Sequence, residues 1–100
     1  MKLENMKTLH LNLIKKWFDM IHSGEKKEEY RELSDYWKKR MQKVKLNGVK
    51  TITFSNGYAK DRRQMIVELK YISIRDGLKE WGAIEGKVYF VLHLGNVLSS

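Results

Sequence analysis

The sequence predicts an α+β fold, a small β-barrel with two helices packed beside it. Three observations support this prediction. Short segments alternate apolar and polar residues as strands do, two segments in the first half have helical periodicity, and turns rich in Gly, Asn and Asp separate these elements. The chain has 100 residues, the length of one domain, and we expect a single domain over residues 1–100.

The first half of the chain should contain one strand and two helices. Thr8 to Leu13 alternates apolar and polar residues, which predicts a strand. Apolar residues at helical spacing follow at Ile14, Trp17, Phe18 and Ile21. Gly24 can end this helix, because glycine adopts the left-handed conformation freely. Ser34 and Asp35 can begin a second helix with apolar residues at Trp37, Met41 and Val44.

The second half should be mostly strands. Val49 to Ser55 and Met65 to Ile74 have strand character, and four residues of the second strand should share one side, Met65, Val67, Leu69 and Tyr71. Leu78 to Gly86 should be irregular or briefly helical. Val88 to Leu94 is almost entirely apolar, as expected of a strand that is buried on both faces.

Composition excludes several classes of protein. Cysteine is absent, which excludes disulfides, thiolate zinc sites and a cysteine nucleophile. The three histidines lack metal-ligand spacing, so we expect no metal and no cofactor. The longest apolar run, Val88 to Leu92, is far shorter than the ~20 residues that span a membrane, and no signal-peptide pattern is present. We therefore expect a cytoplasmic protein that does not enter a membrane.

The charge balance favours a polyanionic partner. Lys and Arg number 20 against 12 Asp and Glu, a net charge of +8. Between Lys38 and Lys60 there are seven cations and no acid. Such a surface attracts nucleic acid, although a solvated helix face that keeps the protein soluble is the alternative interpretation.

The segment from Gly24 to Arg31 is the most informative in the chain. If it is extended after Gly24, Glu29 and Arg31 point to the same side, because residues two apart in a strand share a face. Two interpretations remain open. Glu29 could anchor an ion-pair network with Lys26 and Arg31, or the three could form a site in which Arg31 binds phosphate or a base edge and Lys26 supplies a cation or a perturbed amine.

These residues match a known signature. Gly24, Lys26, Glu29 and Arg31 fit the GxKxxExR pattern, so the chain resembles the ASCH domain family of the PUA-like superfamily. Phe54 to Tyr58 is similar to a turn of small bacterial and phage-type members, and the stretches Glu80 to Ala83 and Val88 to Gly95 are similar to their closing segment. The resemblance implies a PUA-like β-barrel, a cleft lined by the signature residues, and binding of RNA.

Some relatives of this family are enzymes, which gives an alternative function. One group removes an acetyl group from acetylcytidine with a lysine, a threonine and a glutamate, and at least one other member is described as a ribonuclease. The resemblance places the lysine at Lys26 and the threonine at Glu29, and Glu68 is the match for the later glutamate. The alternative is therefore a small hydrolase of RNA or of a modified nucleoside-like small molecule, with Lys26, Glu29 and Glu68 as catalytic candidates.

We expect the binding residues to be divided between a cleft and its surroundings. Gly24 should end the first helix so that Lys26, Glu29 and Arg31 converge on one cleft. The rim should include three residues from the turn after the next strand, Ser55, Asn56 and Tyr58. Three cations on the exposed face of the second helix should attract nucleic acid without recognising its sequence, namely Lys38, Lys39 and Lys43.

Overall fold

The computed structural model describes residues 7–100 and has an α+β architecture, as predicted. Two helices accompany a five-stranded sheet that curls into a half-barrel. The elements in chain order are β1 (Thr8–Leu13), α1 (Lys15–His22), β2 (Glu28–Arg31), α2 (Asp35–Leu46), β3 (Thr51–Asn56), β4 (Gln64–Asp76), a short 3₁₀ helix (Lys79–Trp81) and β5 (Val88–Ser99). Within the described part of the chain, neither helix is long and apolar enough to cross a membrane.

The strand order places the first two strands of the chain at opposite edges of the sheet. The order is β1-β3-β4-β5-β2, with β1 parallel to β3 and every other pair antiparallel. Because the sheet curls, side chains can reach from β2 to β1. Glu29 and Arg31 of the predicted signature lie on β2, and therefore at this junction.

The core follows from the apolar periodicity of the helices and strands. Phe18 and Ile21 of α1 and Met41 and Val44 of α2 are buried against the inner face of the sheet. That face is formed mainly by Leu9, Leu11, Leu13, Ile52, Phe54, Met65, Val67, Leu69, Phe90, Leu92 and Leu94. The α2 cap is also as predicted, since the Trp37 backbone N–H donates to Ser34 Oγ at 3.2 Å.

Strand β4 departs from the predicted alternation at one position. Met65, Val67 and Leu69 are buried, but Tyr71 is 56% exposed. The register explains the difference. Leu69 lies opposite Leu94 while Tyr71 lies opposite the next residue back along β5, His93, so one extra residue of β4 is inserted. Such a bulge reverses which residues face the core, and the prediction for Tyr71 was therefore wrong.

Among the described strands, the second half of β4 has a partner on only one side. Strand β3 pairs with β4 only as far as Glu68, which lies opposite Thr51, and Leu69 N–H then donates to the Lys50 carbonyl at 2.9 Å. From residue 70 to residue 76, the described pairings of β4 involve β5 alone. The half-barrel is therefore open along this edge, beside α2.

Candidate functional site

The end of α1 directs Lys26 into the protein. Gly24 has a left-handed backbone (φ 86°), and its N–H donates to the Ile21 carbonyl at 3.0 Å. The Lys26 N–H then donates to the Met20 carbonyl at 2.9 Å, which folds the segment back against the helix. The Lys26 side chain is 0% exposed as a result. The reversal at Gly24 thus brings Lys26 to the same side as Glu29.

Lys26, Glu29 and Arg31 form one ion network. Glu29 Oε1 accepts from Lys26 Nζ at 2.7 Å, and Glu29 Oε2 accepts from Arg31 Nη2 at 2.7 Å. Lys26 Nζ also donates to the backbone carbonyl of Glu28. Glu29 therefore bridges the two cations, one with each oxygen, and the structure brings the three signature side chains together.

Burial has the largest effect on the pKa of Lys26. Removal from water lowers the pKa of its amine, because the charged form loses its hydration, while the carboxylate of Glu29 partly opposes this shift. The amine lies 5.6 Å from the ring centre of Trp17 and 5.3 Å from that of Tyr30. Lys26 is thus enclosed by aromatic rings and its ion pair, and it faces no solvent.

Arg31 connects the two edges of the half-barrel. Its Nη2 donates to the Asn12 carbonyl on β1 at 3.1 Å as well as to Glu29 on β2. Its Nε is buried and has no hydrogen-bond partner among the described residues. The buried network therefore fixes the position of this guanidinium at the junction between β1 and β2.

An aromatic and cationic surface adjoins this junction. The guanidinium groups of Arg31 and Arg40 lie 5.1 and 5.0 Å from the ring centre of Trp37. Arg40 also lies 5.8 Å from the ring of Tyr36, which is 61% exposed, and donates to the His10 carbonyl at 3.2 Å. We call these four side chains, Arg31, Tyr36, Trp37 and Arg40, the Trp37 surface.

Sequence reasoning did not identify Arg40 as part of a site. Arg40 counted only as one cation of the acid-free stretch, and packing of α2 was the favoured role for Trp37, which does pack against the core. The spacing in the sequence could have indicated this cluster. Residues three and four apart on a helix are neighbours, and Arg40 comes three residues after Trp37 and four after Tyr36.

The predicted rim residues make no described contact with the ion network. Ser55 is buried and its Oγ accepts from Gln64 Nε2 at 2.9 Å, while Asn56 Nδ2 donates to the Leu13 carbonyl at 3.2 Å. Tyr58 is 85% exposed. None of the hydrogen bonds or ion pairs found in residues 7–100 joins these residues to the signature, and their role at a rim stays a prediction.

The remaining predicted residues fall in two places. Lys38, Lys39 and Lys43 are exposed on α2, as expected of cations that attract a ligand from solution. Glu68 lies on β4 next to Val67, which faces the core, so Glu68 points to the outer face, where its Oε1 accepts from the Asn96 N–H at 3.3 Å. Glu29 instead lies opposite Leu92, which faces the core. The two carboxylates thus occupy opposite faces of the sheet.

A second network, on the outer face, also escaped sequence reasoning. Glu28 accepts from Tyr30 at 2.7 Å and pairs with Arg75, while His93 Nε2 lies 2.8 Å from Ser73 Oγ and Nδ1 lies 3.8 Å from Glu28. Burial lowers the pKa of His93. Because Glu28 is held by two other partners and lies beyond hydrogen-bond distance of His93, we interpret this network as an anchor between β2, β4 and β5.

Comparison of the chain with protein-family models, curated proteins and solved structures finds no match. Among the described residues, no group of three or more His, Asp or Glu side chains is arranged to hold a metal ion. The ion network and the Trp37 surface are therefore the features that indicate a function.

Proposed function

We propose that this protein is an ASCH domain with a PUA-like fold that binds nucleic acid, with RNA as the preferred ligand. The observation that carries the proposal is the Trp37 surface, where two guanidinium groups lie over one indole ring beside the signature network. Trp37 packs against the core under these guanidinium groups, so Tyr36, which is 61% exposed, is the ring of this surface that can stack on a base. An exposed aromatic ring next to cations that attract phosphates is typical of proteins that bind single-stranded nucleic acid.

In this proposal Lys26 and Glu29 support the site and do not contact the ligand, whereas Arg31 does. Lys26 is enclosed, so its part is to hold Glu29 in place. Glu29 in turn orients Arg31, which is partly exposed. A guanidinium fixed in this way can present its remaining N–H groups to a phosphate or a base edge with little loss of conformational freedom on binding.

The exposed lysines supply the long-range attraction. Lys38, Lys39 and Lys43 carry charge without a carboxylate partner among the described ion pairs, and the whole chain carries +8. If six to eight phosphates are neutralised, log K should fall with log salt at a slope of roughly −5 to −7 for a duplex, and less for a single strand.

Fluorescence anisotropy with short labelled RNA and DNA strands, at two salt concentrations, tests the proposal. Arg40→Gln should weaken RNA binding by roughly 1–3 kcal/mol, which is about 5- to 150-fold. Arg62→Gln is the matched control, because Arg62 is exposed and, within residues 7–100, donates only to the nearby Ala59 carbonyl. Absence of binding to any nucleic acid at low salt, or equal losses in the two variants, would overturn the proposal.

A hydrolase that uses Lys26 and a carboxylate is the second candidate. The lowered pKa of Lys26 supports it, since a less basic amine is a better base or nucleophile near neutral pH. The enclosure of Lys26 and the position of Glu68 on the outer face weigh against it. Incubation with acetylcytidine and with RNA, followed by detection of product that disappears in Lys26→Ala, tests this candidate directly.

A further inference from the structure

A groove lies between α2 and the second half of β4, away from the Trp37 surface. Its volume is about 730 Å³, and its floor is apolar, formed by Leu33, Met41, Val44, Val49, Ile72 and Phe90. Helix α2 presents Tyr36, Trp37 and Arg40 to the other site, whereas Lys38, Met41 and Lys45, spaced one helical turn apart, line this groove. The two features therefore occupy different sides of the same helix.

One wall of the groove is a free strand edge. Residues 70–76 of β4 pair with β5 on one side, and no described strand pairs with them on the other. An unpaired edge presents backbone N–H and C=O groups in the pattern that another strand would complete. Seven residues of strand extend for about 23 Å, which is enough for a peptide of similar length.

Apolar side chains along this edge are exposed to solvent. Ile74 is 61% exposed although its partner across the sheet, Phe90, faces the core, and Tyr71 is also largely exposed. An added strand directs alternate side chains to opposite faces. One set of its side chains would therefore enter the groove above Phe90 and Ile72, and the other set would lie beside Tyr71.

The charge around the groove specifies the kind of partner. Among the described residues, four lysines line it, Lys38, Lys45, Lys50 and Lys70, and none of the lining residues is acidic. A second copy of this chain would bring the same lysines against them, and each copy carries +8. An extended acidic segment can hydrogen-bond to the exposed edge and also pair its carboxylates with the lysines. Self-association would instead place like charges together.

We propose that an extended acidic segment of a partner protein adds to residues 70–76 of β4 as a further strand, with alternate apolar side chains in the groove. Backbone hydrogen bonds supply the register, the groove selects apolar side chains, and the four lysines select acidic ones. The competing explanation is that Lys70 and its neighbours protect an exposed edge against aggregation and bind nothing.

The probe is a seven-residue peptide in which valine alternates with glutamate, titrated into the full chain labelled for NMR. We expect shifted amide signals in residues 70–76 and α2, and slower hydrogen exchange of about tenfold or more at the edge amides that gain a partner. The same peptide with lysine in place of glutamate should bind at least about tenfold more weakly, because it meets the four lysines.

Two double charge-reversal variants test whether the peptide binds in the groove. Lys45→Glu/Lys50→Glu should weaken the acidic peptide by about tenfold, while Lys60→Glu/Lys79→Glu changes the net charge equally on exposed residues outside the groove and should weaken it far less. Arg40→Gln should leave peptide binding unchanged, which separates this surface from the nucleic-acid site.

Three results would overturn the proposal. One is no binding of the peptide, which would assign the lysines to protection of the edge. Another is equal binding of the acidic and basic peptides. The third is displacement of the peptide by RNA with signal shifts at the Trp37 surface in place of residues 70–76, which would make the groove part of a nucleic-acid interface.

Discussion

Removal of the negative charge of Glu29 should destabilise the protein more than removal of the positive charge of Lys26. The Lys26 side chain is 0% exposed and Glu29 is its only carboxylate partner among the described ion pairs. Glu29→Gln therefore leaves a buried ammonium without a counter-charge. Breaking a buried pair in this way costs about 3–5 kcal/mol, against a total stability of roughly 5–15 kcal/mol for a domain.

Lys26→Met should cost less, about 1–3 kcal/mol. The variant leaves one Glu29 oxygen and the Glu28 carbonyl without their lysine donor, which is the cost of unsatisfied acceptors. Glu29 keeps Arg31, so its charge remains paired. An apolar side chain of similar length also suits the space beside Trp17 and Tyr30.

Urea unfolding of the two single variants and the double variant measures this asymmetry. The double variant Lys26→Met/Glu29→Gln should be more stable than Glu29→Gln alone, because the unpaired buried ammonium is gone, with a coupling energy of about 1 kcal/mol or more. Lys15→Met is the surface control, since Lys15 and Asp19 pair in solvent and such pairs contribute about 0–1 kcal/mol.

A smaller loss of stability in Glu29→Gln than in Lys26→Met, or simple addition of the two effects, would refute this role of the ion pair. Alkaline pH gives an independent check. Because burial lowers the pKa of Lys26 below that of the unfolded chain, the unfolded state binds more protons between the two pKa values. The part of the stability that depends on Lys26 should therefore rise with pH in that window, and Lys26→Met should remove this rise.

Four further outcomes are expected. Burial lowers the pKa of His93, so the unfolded state takes up its proton first and stability should fall as pH drops below about 6.5; His93→Gln should reduce this fall in urea midpoints, with His10→Gln at an exposed position as the control. Gly77→Ala should cost about 1–3 kcal/mol in the same assay, because an added Cβ lies 2.6 Å from the Tyr30 ring, and a neutral result would show that the turn relaxes. Arg31→Ala should cost roughly 1–3 kcal/mol of RNA binding and reduce the preference among sequences, whereas an equal loss for all sequences would limit Arg31 to phosphate contact. Lys43→Ala should weaken every nucleic acid alike and lower the salt slope by about one unit, and an unchanged slope would place Lys43 outside the interface.

The sequence by itself determined the elements and the location of the signature. Strand β1 has the predicted bounds, and α2 begins at the predicted cap, because periodicity and capping depend on residues within four positions of each other. Glu29 and Arg31 point to the same side for the same local reason. Local patterns were therefore sufficient to identify the α+β class and the shared side of Glu29 and Arg31, whereas Lys26 joins them through the turn at Gly24.

Only the tertiary structure decided which groups are accessible. The sequence left Lys26 open as a cation or a perturbed amine, and the turn at Gly24 and the packing beside Trp17 bury it. The bulge after Leu69 depends on the register with β5. It exposes Tyr71 and exchanges which residues of the following part of β4 face the core and which face outward. Arg40 reaches the candidate site through the approach of α2 to β1. These features depend on contacts between residues far apart in the chain, which spacing along the sequence does not encode.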